Sequence, residues 1–147
     1  MIEPIHKSIT VNRPVAEVFE LFTAGINGWW PVATHACNPG RVKEAVMETR
    51  QGGEVYEILD DGERVPWGKI LTWDPPRRFV MTWHPGRDPE TAQEVDVRFS
   101  DINGSTVVEL THSGWERYGD NAAEMRGKYA EGWGFVLEKS FVEACTG

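Results

Sequence analysis

From Val42 to Ser113 the chain is cut at short intervals by turn-forming residues: Gln51-Gly52-Gly53, Asp61-Gly62, Pro75-Pro76, the Pro85–Ala92 stretch and Asn103-Gly104. Six strands fit between the cuts, at about 42–49, 54–59, 64–73, 78–84, 93–101 and 105–112. Short strands joined by tight turns predict an antiparallel meander. Asn103-Gly104 fixes one register. Asn-Gly favours a two-residue turn of type I′, in which both residues take positive φ. Phe99 then lies opposite Val108, Val97 opposite Leu110 and Val95 opposite His112, while Arg98–Glu109 and Asp96–Thr111 fall on the other face. One face is apolar and one charged, and His112 belongs to the apolar one.

Upstream, Ile5, Ile9 and Val11 alternate with His6, Ser8 and Thr10, the period of a strand. Asn12-Arg13-Pro14 ends it, and Val15, Val18, Phe19 and Phe22 recur at helical spacing after a proline suited to a first turn. Gly25 and Gly28 stop that helix before Trp29-Trp30-Pro31, at a second short helix or its exit. Downstream, Tyr118, Ala122, Met125, Tyr129, Trp133, Val136, Leu137 and Phe141 recur in steps of three and four. Ser113–Glu116 and Asn121–Glu124 both have capping-box spacing; the second is the better start, since Gly119-Asp120 suits a helix interior poorly. A helix from Asn121 to Cys145 would be about 37 Å long, with a Glu124–Lys128 pair on its outer side.

The expected architecture is α+β, a single domain over residues 1–147: a strongly curved antiparallel sheet of about seven strands, in the order one strand, two short helices, six strands and a long C-terminal helix. Only the last helix is long enough to cover the sheet's apolar face. Between a bent sheet and one helix, either large aromatic side chains fill the space or a ligand does. Seven tryptophans in 147 residues suit either outcome.

Trp29-Trp30-Pro31, Gly52-Gly53, Trp67-Gly68, Trp73-Asp74-Pro75-Pro76, Phe79 and Trp83 carry a family pattern. It continues through Val95–Phe99, Thr106–His112, Gly114-Trp115 and Gly132-Trp133 with Leu137. In this order the motifs resemble the helix-grip, START-like superfamily called SRPBCC. The branch they resemble is related to the C-terminal domain of the activator of the ninety-kilodalton heat-shock protein ATPase. The resemblance spans nearly the whole chain. It implies the helix-grip fold, and it implies functions as different as co-chaperone domains, carriers of hydrophobic ligands, and cyclase-like or hydrolase-like enzymes. The activator's extra N-terminal domain has no counterpart here.

Composition narrows the partners. Fifteen basic against 23 acidic residues give a net charge of −8, and no Lys/Arg run offers a patch for nucleic acid. No apolar run approaches the roughly 20 residues of a membrane span. The start Met1-Ile2-Glu3-Pro4 lacks the features of a secretory leader. Two cysteines, Cys37 and Cys145, fit no zinc spacing and no disulfide scaffold, which points to a reduced, cytoplasmic protein. His35-x-Cys37 is too sparse for a metal site, and no cofactor is expected. Nucleophile-elbow, P-loop, dinucleotide and His-Glu-x-x-His motifs are all missing. Asn103-Gly104-Ser105 matches a glycosylation sequon but reads as a turn.

The expected role is binding of a small hydrophobic or aromatic molecule by Trp30, His35, Trp67, Trp83, His112, Trp115, Tyr129 and Trp133. The loop 30–40 would act as a lid, His35 standing at its entrance. His112 and Tyr129 would orient the ligand; equally, His112 is a satisfied core histidine bonded to Tyr129 or a helix end, and the indoles are the core itself. Alternatives are a chaperone-directed interaction module, or a small enzyme using His112 as its base. Either monomer or homodimer is compatible. Gly132 and Gly134 cost helix stability, and tight packing of helix on sheet is the expected compensation. Arg98 and Glu109 are expected to pair across the surface.

Overall fold

The computed structural model describes residues 3–146; Met1 and Ile2, at the start read as lacking a leader, lie outside the described residues. Seven strands form one antiparallel sheet: β1 Ile5–Val11, β2 Val42–Met47, β3 Glu54–Leu59, β4 Arg64–Asp74, β5 Arg78–Trp83, β6 Gln93–Ile102 and β7 Ser105–Ser113. Their spatial order is β1-β7-β6-β5-β4-β3-β2, so the meander β2 to β7 curls round and β1 closes its far edge. Between β1 and β2 run helix α1, Val15–Phe22, and a single 3-10 turn at Ile26–Gly28. Pro14 sits just outside α1, at the N-cap, with no side-chain cap.

The β6–β7 hairpin follows the register dictated by its turn. Asn103 and Gly104 take φ of 53° and 89°, and Phe99↔Val108, Val97↔Leu110 and Val95↔His112 are partners. The outer face differs in one respect. Arg98 lies opposite Glu109, but its ion pair is with Asp96, 3.5 Å away, and Asp96 also holds Arg78 at 2.8 Å. Strand β5 places Arg78 directly opposite Arg98. Like charges facing across a ladder repel, and a carboxylate shared between the two guanidiniums relieves that better than a single Glu109 contact.

The C-terminal helix is α-helical over Ala122–Trp133 (α2), π-wound over Gly134–Phe141, and α-helical again over Val142–Thr146 (α3). The uniform helix expected from residue 121 to 145 is thus interrupted. The wider turns fall where the helix passes from tryptophan neighbours around Trp133 to phenylalanine neighbours around Phe141. There Ser140 Oγ donates to the Trp29 carbonyl at 2.6 Å, and Lys7 of β1 pairs with Glu138 at 3.1 Å. Neither capping box forms. A 3-10 segment, Trp115–Asn121, leads into α2 with the Ala122 N–H donating to the Gly119 carbonyl, and Asn121, at φ −90° and ψ 2° rather than extended, makes no side-chain cap. The Glu124–Lys128 pair does form, at 3.6 Å.

Two aromatic clusters occupy the interior. Phe19, Phe22, Phe79, Phe99, Phe141 and Trp29 interlock at centroid distances of 4.7–6.3 Å beneath α1. The Trp29–Trp30 contact, at 5.4 Å, joins them to the second cluster.

Candidate functional site

The second cluster is hollow. Trp30 lies 5.1 Å from Trp67 and 5.8 Å from both Trp83 and Trp133; Trp83 lies 5.4 Å from Trp133. These four indoles wall a cavity of about 280 Å³ between sheet and helix. Trp67 comes from β4 and Trp83 from β5. From α2 come Met125, Lys128, Tyr129, Gly132 and Trp133, with Val136 one turn on. The loop after Trp30 adds His35, Ala36 and Cys37, and the loop after β5 adds Pro85 and Arg87.

Gly132 helps to keep this space open. A Cβ there would meet only His35 Cδ2, at 3.9 Å, and one at Gly134 only Glu138 Oε1, at 3.5 Å. The expected tight packing against the sheet is absent; the missing side chain leaves cavity volume instead. Gly68 is the tight position, since a Cβ there would fall 1.8 Å from the Thr82 carbonyl oxygen.

His112 is fully buried, and it lies behind the wall rather than on it. An indole N–H can only donate, so the 2.9 Å contact from Trp133 Nε1 makes His112 Nδ1 an acceptor. The proton therefore sits on Nε2 and is donated to Gln93 Oε1 at 3.2 Å, while Gln93 Nε2 donates to the Thr91 carbonyl. The chain of bonds is complete for a neutral ring only. Burial pushes the pKa of His112 down to about 3. Its partners are Trp133 and Gln93; Tyr129 touches it only ring to ring, at 5.1 Å. A ring that is sealed, satisfied and hard to protonate does not serve as a general base for a molecule in the cavity.

Sequence reasoning overlooked Glu57, which is also fully buried. Its Oε1 accepts from Trp67 Nε1 at 2.8 Å and from the Cys37 N–H at 2.7 Å. Its Oε2 accepts from the Asn38 N–H at 3.1 Å and from Asn38 Nδ2 at 3.2 Å. Four N–H donors hold one carboxylate, clamping the 35–38 loop to β3 and fixing the tilt of Trp67. The signal was present in the alternation Val55, Glu57, Leu59, which puts a charge on the inward parity of the strand. Beside it, Cys37 is a protonated, unreactive thiol: burial first, then the neighbouring Glu57, pushes its pKa up to about 12. Both Cys37 and Cys145 are free.

At the mouth stand His35, Arg87, Lys128 and Tyr129. His35 stacks on Phe135 at 4.6 Å, hydrogen-bonds Thr34 at 2.7 Å, and has its pKa lowered by burial. Burial also raises the pKa of the Tyr129 hydroxyl, which stays protonated. Six of the eight residues singled out from sequence therefore meet at one cavity: Trp30, His35, Trp67, Trp83, Tyr129 and Trp133. His112 and Trp115 do not reach it. Trp115 is buried behind His112, its ring 4.2 Å away and its N–H on the His112 carbonyl at 3.0 Å. Among the described residues no three His, Cys, Asp or Glu side chains are grouped to hold a metal ion, and no helix is long and apolar enough to cross a membrane.

A family model described as Activator of Hsp90 ATPase homolog 1-like protein matches residues 12–145. Among solved structures, the anthrahydroquino-gamma-pyrone synthase Txn09 is 36% identical, with 84% of each chain covered and a TM-score of 0.60. CalC from Micromonospora echinospora, described as a self-sacrificing resistance protein, is 29% identical over 97% of this chain and 94% of its own, with a TM-score of 0.74. CalU16 from the same organism, at 23% identity, 97% and 74% coverage and a TM-score of 0.65, shares the fold. No curated protein matches the chain.

Proposed function

Because the chain belongs to the Activator of Hsp90 ATPase homolog 1-like family, whose helix-grip sheet and helix here enclose a hollow, we propose that it binds a planar aromatic small molecule. One observation carries the reading: four indoles surround about 280 Å³ of space instead of filling it. That volume is near the lower end of ligand pockets, and an apolar wall with a few polar groups is their usual make-up. Stacking on indole faces favours flat rings, and apolar contact contributes about 2.5 kcal/mol per roughly 100 Å² buried. Tyr129 would orient the ligand; His112 would act only through the Trp133 ring that it holds. The likeness to a synthase whose name refers to an anthrahydroquinone is in keeping with a flat, aromatic guest.

The test is calorimetric titration with planar aromatics and with flexible acyl chains of equal area, alongside indole fluorescence. Planar ligands are expected to bind one to one with a negative heat-capacity change, and Trp30→Leu to weaken them. If no planar aromatic binds, the proposal fails.

The 36% identity to a synthase favours a second reading, in which the bound molecule is also transformed. On that reading the cavity works by folding its guest and by donor groups at the mouth, and turnover would survive loss of the His112 imidazole. A chaperone-directed surface draws on the family's name alone. Burial of Trp30, Trp67, Trp83, Trp115 and Trp133 favours the cavity, and stimulation of a chaperone ATPase by the purified chain would reverse that preference.

A further inference from the structure

We infer that the guest is an anionic aromatic molecule, its carboxylate or phenolate oxygen held at the mouth by Arg87 and Lys128 with Tyr129 as a hydrogen-bond donor; the inference rests on the ligand-binding reading above. The chain carries a net charge of −8, yet the residues lining the cavity include two cations and no carboxylate. On an acidic protein, a hollow with a positive rim is complementary to negative charge there.

Arg87 and Lys128 at the rim can only donate, and Tyr129 can do so as well. Among the described residues Arg87 makes no ion pair, and its guanidinium lies close enough to Tyr129 and Cys37 to act on both electrostatically. Lys128 is tied only to Glu124, at 3.6 Å with both side chains about two-thirds exposed, a contact easily exchanged. Tyr129 keeps its proton and can donate it.

The indole N–H groups of the wall are not among the donors offered to a guest. Trp30 Nε1 donates to the His35 carbonyl, Trp67 Nε1 to Glu57 and Trp133 Nε1 to His112. Trp83, 3% exposed, is the fourth wall indole, and its Nε1 has no hydrogen-bond partner. That nitrogen is buried within the wall itself, out of reach of a guest in the cavity, so the donors available to a guest are those at the mouth. The opposing charge is Glu57, behind the wall; its two oxygens are already held by four donors and it does not line the cavity.

A matched pair of probes tests this: 2-naphthoate and 2-naphthamide, which share a ring system and differ in charge, titrated calorimetrically at pH 7.5 and low salt. The naphthoate should bind about tenfold more tightly. Arg87→Gln with Lys128→Gln, both on exposed side chains, should remove the preference by weakening the naphthoate about tenfold more than the naphthamide. Equal binding of the two probes, or a preference that persists in the double variant, overturns the anionic inference while leaving the aromatic-binding reading intact. Binding of neither probe overturns both.

Discussion

Gly132→Ala separates the two roles a helical glycine can have, because here they carry opposite signs. The residue lies in α2 with ordinary helical geometry, and the nearest atom to a new Cβ is His35 Cδ2, at 3.9 Å, an ordinary contact. Nothing need move. Alanine in a helix interior is favoured over glycine by about 1 kcal/mol, which for a domain of this size raises Tm by about 3 °C. The same methyl enters the cavity of about 280 Å³. A guest that fits the native space then meets an overpacked wall, at about 1–3 kcal/mol, or roughly five- to a hundredfold in affinity. Gly134→Ala is the control: it lies outside the cavity wall, so it should stabilise without weakening binding. Thermal unfolding followed by calorimetry reads both effects. A lower Tm for Gly132→Ala would mean that the glycine is there for close packing, and the account of the hollow would be wrong.

Glu57→Gln should cost about 3 kcal/mol or more in urea unfolding, because an amide NH₂ would face donors that now find carboxylate oxygens. Amide exchange at Cys37 and Asn38 should speed up in parallel, and unaltered exchange there would contradict the clamp. The depressed pKa of His112 makes stability pH-dependent. The unfolded imidazole takes a proton below about 6.5 while the folded one stays neutral to about 3, so the contribution is complete above pH 6.5 and is lost as pH falls. By pH 5 the loss is about 2 kcal/mol, and the lowered pKa of His35 adds in the same direction. His112→Phe should flatten the slope between pH 7.5 and 5, and an unchanged slope would refute the assignment. Trp133→Phe strips His112 Nδ1 of its donor, whereas Trp83→Phe removes an N–H that bonds nothing. The first should therefore be the more destabilising, by about 1–2 kcal/mol, and equal losses in denaturant midpoint would contradict the bond pattern.

The fold was legible wherever one local rule decided the geometry. Asn103-Gly104 demanded positive φ at two residues, and from that turn the pairing of β6 with β7 followed residue by residue, with His112 on the inner face. Trp67, Trp83 and Trp133 were legible because an aromatic beside a glycine, or on an apolar strand face, has few other places to go, Tyr129 followed from its helical spacing, and Trp30 and His35 from the loop they open. What escaped depended on contacts between distant segments. Glu57 reads as an ordinary strand glutamate until its inward parity meets the Cys37 and Asn38 backbone, twenty and nineteen residues away. Asp96 binds Arg78 rather than leaving Arg98 to Glu109, because β5 brings a second arginine opposite the first. Asn121 looks like a cap, yet the 3-10 segment running into the helix holds its backbone at φ −90° and ψ 2°, outside the extended conformation from which a cap side chain reaches the second and third helical N–H groups.

The division of the interior follows from a difference between two kinds of ring. Phenylalanine carries no polar atom, so Phe19, Phe22, Phe79, Phe99 and Phe141 can close on one another with nothing further required. An indole brings an N–H wherever it is buried, and that donor needs an acceptor nearby. At the tryptophan end the chain supplies them one at a time: the His35 carbonyl for Trp30, Glu57 for Trp67 and the Nδ1 of His112 for Trp133. Each acceptor is itself fixed by its place in the fold, so each ring is held edge-on or tilted rather than free to collapse inward. Rings pinned from behind cannot slide together to fill the space before them. The hollow therefore persists because the polar bonds behind its walls hold three of its four indoles in place.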